Sequence, residues 1–516
     1  MKPTSFRRTI VRVLLPVMAA LPTHANNLQT SAASLVANNS VNGHVNVRFS
    51  ITWENSWRNG SSSAWDAAWV FVKYKDFTTG LWQHARLGSD ADHLPGTGTP
   101  ATITNGLLTP GSPYDAATNW GAGVFLLRSA DGSGTFSASN VELRWNYGQN
   151  GITFTDIGEV SVFAIEMVHI PQGPFFVGSG GAETNHFKDG TTNNPFLISS
   201  EAALSIANTP GSLWALGTTM QTQTLPAETP KGFKAFYIMK HELTQQAYVD
   251  FLNTLTRTQQ DERVASNVAS FVTQTLDRYV MLGTSFSLAR NGIRCDQLFA
   301  ADVPITFYCD LNGNGTGGEA NDGQWLACNY LNMADACAYL DWSGLRLMSE
   351  LEYEKAARGP LSPVVDEYAW GTTSFTQAAF SPVPNEGTIS ETASPVGANL
   401  NAGSSPGVRR TGVFATGSTN RSQAGASYYG VLDLSGNVYE PTARVGSITS
   451  YPGNLGNGSL NAAGNCDVPG VILGVGFFAS HRGGSFGFNA DRSRISSRDV
   501  LQGVGREQHY GARGVR

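Results

Sequence analysis

Asp310–Leu311–Asn312–Gly313–Asn314–Gly315 places side-chain oxygens at alternate positions and then a glycine, the spacing with which an EF-hand loop begins to surround calcium. Hard oxygen donors on a loop that glycine lets turn sharply are what this cation selects. The twelfth position is Asn321 instead of a bidentate glutamate, Glu319 and Asp322 stand beside it, and no EF-hand helix precedes the loop. A nonstandard calcium loop through Asp310, Asn312 and Asn314 and a solvated Gly/Asn turn therefore both stay open. Soft-ligand chemistry is harder to build. The cysteines are Cys295, Cys309, Cys328, Cys337 and Cys466; the Cys328–Cys337 spacing fits no zinc motif, and no histidine pairs flank it. Histidines are sparse, and sequence alone places no triad from His241, His481 and His509.

His481–Arg482–Gly483–Gly484–Ser485–Phe486 is the second stretch with a distinct demand. Adjacent glycines imply a sharp turn, or a close approach where a Cβ would clash. Arg492, Arg494 and Arg498 beyond it suit a strand with polar anchors. On residue pattern alone the stretch is a tight strand junction.

The elements that position these residues divide the chain at about residue 160. From 26 to 160 the pattern is β. Val45, Val47, Phe49, Ile51 and Trp53 alternate with polar residues, a period of two that predicts a half-buried strand over His44–Trp53. Ala68–Tyr74, Leu81–Leu87, Val124–Arg128, Val141–Tyr147 and Val160–Ile165 are further strands, and together they predict an antiparallel β-sandwich. Trp53 and Trp69 fall on the core phase; a sugar-stacking surface is the alternative use of the tryptophans. Helices enter only from 161 to 516. Thr244 caps one carrying Tyr248, Phe251, Leu252 and Leu255 at helical spacing, another covers about Asn332–Trp342, and Ser349 with Glu352 forms a capping box for a third.

With 516 residues and only 14% charged side chains, the chain holds several domains of a turn-rich, extracytoplasmic kind. A net charge of −6 without a basic cluster excludes nucleic acid as a partner. Lys2, Arg7, Arg8 and Arg12 precede the short apolar run Val13–Leu21 and then Thr23–His24–Ala25, the order of a signal peptide over residues 1–25. No apolar stretch is long enough to span a bilayer. The mature protein is expected to be secreted, periplasmic or at the cell surface, where a Cys295–Cys309 disulfide would staple a Gly/Asn-rich stretch.

Five stretches then fall in one order: Gly173–Pro174–Phe175–Phe176–Val177–Gly178; His241–Glu242–Leu243–Thr244; Glu350–Gly359 with Tyr368–Ala369–Trp370–Gly371; Gly430–Glu440; and Arg482–Phe486 ahead of Gly511–Ala512–Arg513. This series resembles the formylglycine-generating enzyme (sulfatase-modifying factor) family. Leu347–Met348–Ser349, Tyr439 and Pro441 depart from its usual residues. The resemblance implies an irregular, C-type-lectin-like fold after the sandwich, α+β in all. It implies an oxidase only where two cysteines after the double glycine bind copper(I), as soft thiolates do. Here the corresponding slots fall on Phe488, Ala490 or Ser493, and no cysteine follows Cys466, which makes copper an unexpected cofactor. The resemblance also implies structural calcium held by Asp433, Glu440 and the carbonyls of Gly436 and Val438, with a second site using Asn399 and the Leu400 carbonyl. The expectation is a secreted, non-catalytic, calcium-stabilised protein that binds a glycan or protein at a cell surface. The alternative is a metal-dependent oxidase, or another enzyme of the family, with rebuilt chemistry.

Overall fold

The computed structural model describes residues 27–105, 114–115, 120–217, 220–265, 278–284, 287–295, 303–403, 405–446, 451–471, 479–498 and 505–516. The expected signal peptide lies outside them. The described residues are mostly β, a large antiparallel sheet with several small ones and few helices, so the class is less evenly α+β than the sequence implied.

Alternation decides the first layer. The strand His44–Asn59 buries Val45, Val47, Phe49, Ile51 and Trp53 and pairs antiparallel with Gly132–Trp145. The strand Ala64–Asp76 is buried on both faces. Its Ala68, Val70, Val72 and Tyr74 share a core with that alternating set, while Ala67, Trp69 and Phe71 enter a second core with Met167, Phe251, Tyr339 and Trp342. A strand covered on both sides needs a continuous apolar run instead of alternation, which is how Ala67–Val72 reads. Val124–Arg128 forms as expected, whereas Leu81–Leu87 is strand only at Trp82–His84.

The expected boundary at 160–161 lies within one strand, Ile157–Ile170. It pairs with Ala64–Asp76 from Asp76 to Asp66, and its last residues pair with Phe236–Met239. That strand in turn bonds Gly514–Val515 at the chain's end. The two regions are thus edges of a single sheet, and His241 and Glu242 leave it just after Met239.

The expected helices form, with their caps. Thr244 accepts from the Ala247 amide ahead of Gln245–Leu252, Asn332 and Asp335 close a capping box on Met333–Trp342, and Ser349 and Glu352 close another on Glu350–Arg358. Each satisfies amides that the first helical turn leaves unbonded.

Two expectations fail. Cys295 and Cys309 are on paired strands, but Cys295 stands opposite Phe307 and Cys309 opposite Ile293. Such diagonal neighbours sit ~7–8 Å apart, too far for the ~3.5–4.5 Å between disulfide Cβ atoms. No disulfide is present among the described residues. The arginines after the double glycine are not on a strand either, since Ala490–Ser493 is a 3-10 turn. They diverge instead: the Arg492 guanidinium lies 5.1 Å from the Phe488 ring centroid, Arg494 pairs with Asp366 at 2.8 Å, and Arg498 pairs with Glu350 at 2.6 Å.

Candidate functional site

The loop between Asp433 and Glu440 is wound tightly, with positive φ at Asp433, Gly436 and Asn437. Gly436 is required there, because a Cβ would lie 2.7 Å from the Asn401 carbonyl oxygen. Asn437 pins the loop: its Oδ1 accepts from the Arg409 amide at 2.8 Å and from Asn401 Nδ2 at 2.9 Å. Glu242 holds the other side, accepting from Asn437 Nδ2 at 2.5 Å and from the Val438 amide at 3.0 Å. Asp433 Oδ2 accepts from the Gly412 amide at 2.6 Å. Arg513 Nε donates to Glu440 Oε1 at 2.7 Å, while Glu440 Oε2 is buried with no hydrogen-bond donor among the described residues.

Three buried carboxyl groups therefore meet this one loop. Burial, then Asp433 and Glu440, pushes the Glu242 carboxyl well above the ordinary range. Burial also raises Asp433. It lifts Glu440 to about 7 even though Arg513 pulls the other way. Ionised together, three such groups exceed what Arg513 compensates, a condition that a bound cation would relieve. Asp433 and Glu440 side chains with the Gly436 and Val438 carbonyls are the oxygen donors that the resemblance implies for Ca²⁺. No group of three or more His, Cys, Asp or Glu side chains among the described residues is placed to hold a metal, so such a site depends on its main-chain oxygens.

The other expected ligands take part in hydrogen bonds that tie their loops together. Asn399 Oδ1 accepts from the Thr376 amide and the Leu400 carbonyl from the Ala378 amide, both at 2.8 Å, which knits 376–378 to 399–400. Asp310 is buried; its carboxylate accepts from the amides of Gly313, Asn314 and Gly315 and pairs with Arg294. Asn312 Nδ2 donates towards Glu319, Asn321 and Asp322 at 2.9–3.1 Å, so an amide nitrogen stands among the loop's oxygens.

Where the family would need thiolates, the double glycine forces close packing. Gly484 has φ +70°, and a Cβ on it would lie 2.3 Å from Ser493 Oγ and 2.8 Å from Ser493 N. Gly484→Ala is expected to destabilise the protein by about 2–4 kcal/mol, left-handed strain plus overpacking, read as a shift in the denaturation midpoint; an unchanged midpoint would mean this junction is loose. Phe488 is half-buried, its ring 5.5 Å from Tyr439 and 4.7 Å from His509. Ser493 is buried, and Ala490 opens the 3-10 turn. Ser485 Oγ lies 3.4 Å from His509 Nδ1. His481 stacks on Tyr510 at 4.3 Å, whereas His241 faces Glu166 at 3.4 Å. Glu242 and Arg513 were visible only as parts of motifs, and no sequence signal marked them as the clamp and counterion of the Asp433 loop.

A family described as "Sulfatase-modifying factor enzyme 1-like domain" matches residues 153–516. No curated protein matches the chain. Among solved structures, PvdO from Pseudomonas aeruginosa is similar at 17% identity and TM-score 0.31, over 68% of this chain and 94% of its own. Treponema denticola variable protein 1 is similar at 13% identity and TM-score 0.27, over 68% of this chain and 95% of its own. By the family match, which extends over more than half its length, the chain belongs to the sulfatase-modifying factor enzyme 1-like domain family.

Proposed function

We propose that the chain is an exported, non-catalytic binding protein that uses its family domain as a calcium-stabilised, C-type-lectin-like scaffold. One observation carries the reading. Of the residues on which the thiolates of a copper(I) oxidase of this family would fall, Phe488 is packed between Tyr439, His509 and Arg492, Ala490 opens a 3-10 turn, and Ser493 is buried. None of these side chains is a soft ligand, and the group that meets His509 Nε2, the Gln508 side-chain amide at 3.2 Å, is neutral and not the carboxylate of a Ser–His–Asp triad. Calcium at Asp433, Gly436, Val438 and Glu440 has a mechanical role: it neutralises carboxylates that otherwise repel, and so fixes the loop that joins Glu242 to Arg513. The partner is a glycan or protein met at the cell surface. Incubation with copper and a cysteine-containing sulfatase peptide is expected to leave the cysteine unchanged by mass spectrometry. Stoichiometric aldehyde in the peptide would overturn the reading.

A further inference from the structure

A cavity of about 840 Å³ opens between the two regions of the chain. That volume is within the ~300–1,000 Å³ of small-molecule sites. Trp57 of the first region, and Phe176, Tyr428 and Tyr429 of the second, line it with aromatic rings. Tyr428 is 40% exposed and Trp57 half-buried. Gly430 lies against the Trp57 ring, at a distance where a Cβ would make ordinary van der Waals contact, 3.5 Å.

The charge of the lining is the more telling feature. The chain has 40 acidic and 34 basic residues, yet this cavity is lined by Lys355 and Arg421 and by no Asp or Glu. Lys355 Nζ donates to the carbonyls of Gly232 and Phe233, so its charge contributes field and not contact. Arg421 is different. Its Nη2 donates to the Ala369 carbonyl at 2.8 Å and its Nε to that of Ala426 at 3.3 Å, while its Nη1 has no acceptor among the described residues. Those bonds fix the guanidinium 5.7 Å from the Tyr428 ring centroid. Asn59 spends its Oδ1 on the Ser61 amide and Asn420 spends its own on the Gln423 amide, which leaves an amide donor at each rim position.

We propose that this cavity binds a saccharide bearing a ring carboxylate, with the carboxylate on Arg421 and a pyranose face on Trp57 or Tyr428. Apolar C–H faces of a sugar match exposed aromatic rings, hydroxyls match the amides of Asn59 and Asn420, and a fixed guanidinium matches a carboxylate. The assignment rests on reading the chain as a binding protein and gives that reading a site and a ligand class.

The test is calorimetric titration of the full chain with glucuronic, galacturonic and N-acetylneuraminic acids, each beside its methyl ester, and with benzoate. At least one acid is expected to bind about tenfold or more tightly than its ester, the worth of a charge-assisted contact. Arg421→Gln should abolish that preference, and Tyr428→Ala, at an exposed position, should weaken acid and ester alike. Equal binding of acid and ester, no binding of any sugar acid, or benzoate binding as tightly as the sugars would each overturn the assignment. The acid-to-ester comparison on the wild type needs no variant to fold. Aldehyde formation on a peptide by a protein that still prefers the acid would remove the non-catalytic reading and leave this site standing.

Discussion

Replacing Glu350 by alanine is expected to cost about 3–5 kcal/mol of stability, the usual penalty for stranding a buried charge. Glu350 is the first residue of the helix Glu350–Arg358, and it is fully buried together with Arg482 and Arg498. Arg498 grips it with Nε at 2.8 Å and Nη2 at 2.6 Å, and the Val445 amide donates at 2.9 Å. Arg482 reaches it at 3.4 Å and bonds Glu354 at 2.7 Å. Removing the carboxylate leaves Arg498 without its anion and Arg482 with one partner fewer. The pH dependence gives a second readout. Burial alone would raise this carboxyl, but Arg498 and then Arg482 bring it from 4.5 down to about 2. A depressed folded value contributes stability that is present above pH 4.5 and lost as pH falls towards 2, on the order of 3 kcal/mol. Glu350→Gln, which keeps the shape, should flatten that acid leg of the stability curve. Glu166, held low by Lys240 despite its burial, will keep part of it. An alanine variant within ~1 kcal/mol of wild type would show that these arginines find other partners.

The sequence carried this network only as separate letters. Arg498 looked like an anchor on a strand, Arg482 like part of a tight glycine junction, and Glu350–Arg358 was marked only as a capped helix. Nothing local says that charges more than a hundred residues apart meet in the interior, because burial of charge is decided by tertiary packing and not by composition. Alternation was legible at His44–Trp53 because one face met a core and the other did not. It was silent at Ala64–Asp76, where both faces are covered and the run is simply apolar. The disulfide expectation failed for a related reason: proximity of Cys295 to Cys309 was inferred correctly, but register decides which side chains oppose, and no residue in that stretch encodes register.

The candidate site was legible where a motif fixed a turn and illegible where a distant side chain closed it. Asp433, Gly436, Val438 and Glu440 share one loop, and their grouping came from the family resemblance of that stretch. Glu242 reaches the same loop from just past the strand Phe236–Met239, almost two hundred residues earlier, and Arg513 from just before the strand Gly514–Val515. The aromatic cavity was missed altogether. Trp57 and Tyr428, almost four hundred residues apart, line one cavity, and Ile157–Ile170 runs through both regions as a shared strand.

Calcium is expected to raise the melting temperature by an amount that grows with pH. Without the cation, burial lifts the Glu440 carboxyl from 4.5 to about 7 against the pull of Arg513, and Asp433 and Glu242 are raised with it. A carboxyl that holds its proton more tightly when folded contributes stability fully present below pH 4.5 and lost as pH climbs through 7. For Glu440 alone the loss is on the order of 3 kcal/mol. Calcium on Asp433 and Glu440 takes the proton's place and recovers about 2.7 kcal/mol at a hundredfold excess over its dissociation constant. Melting with calcium and with chelator should therefore nearly coincide at pH 5 and separate by pH 7.5. Asp250 and Asp341, pushed up to about 6 by burial, steepen both curves equally and cancel in the difference. Asp433→Asn keeps an acceptor for the Gly412 amide but removes an anionic ligand, so chelator should hardly move its melting temperature at any pH. It also relieves repulsion on Glu440 and Glu242, which should make the variant's own decline between pH 5 and 7.5 shallower than that of chelated wild type. Coincident wild-type curves at pH 7.5 would remove calcium from this loop, and the three carboxyls would then share protons as the buried ties of a metal-free scaffold.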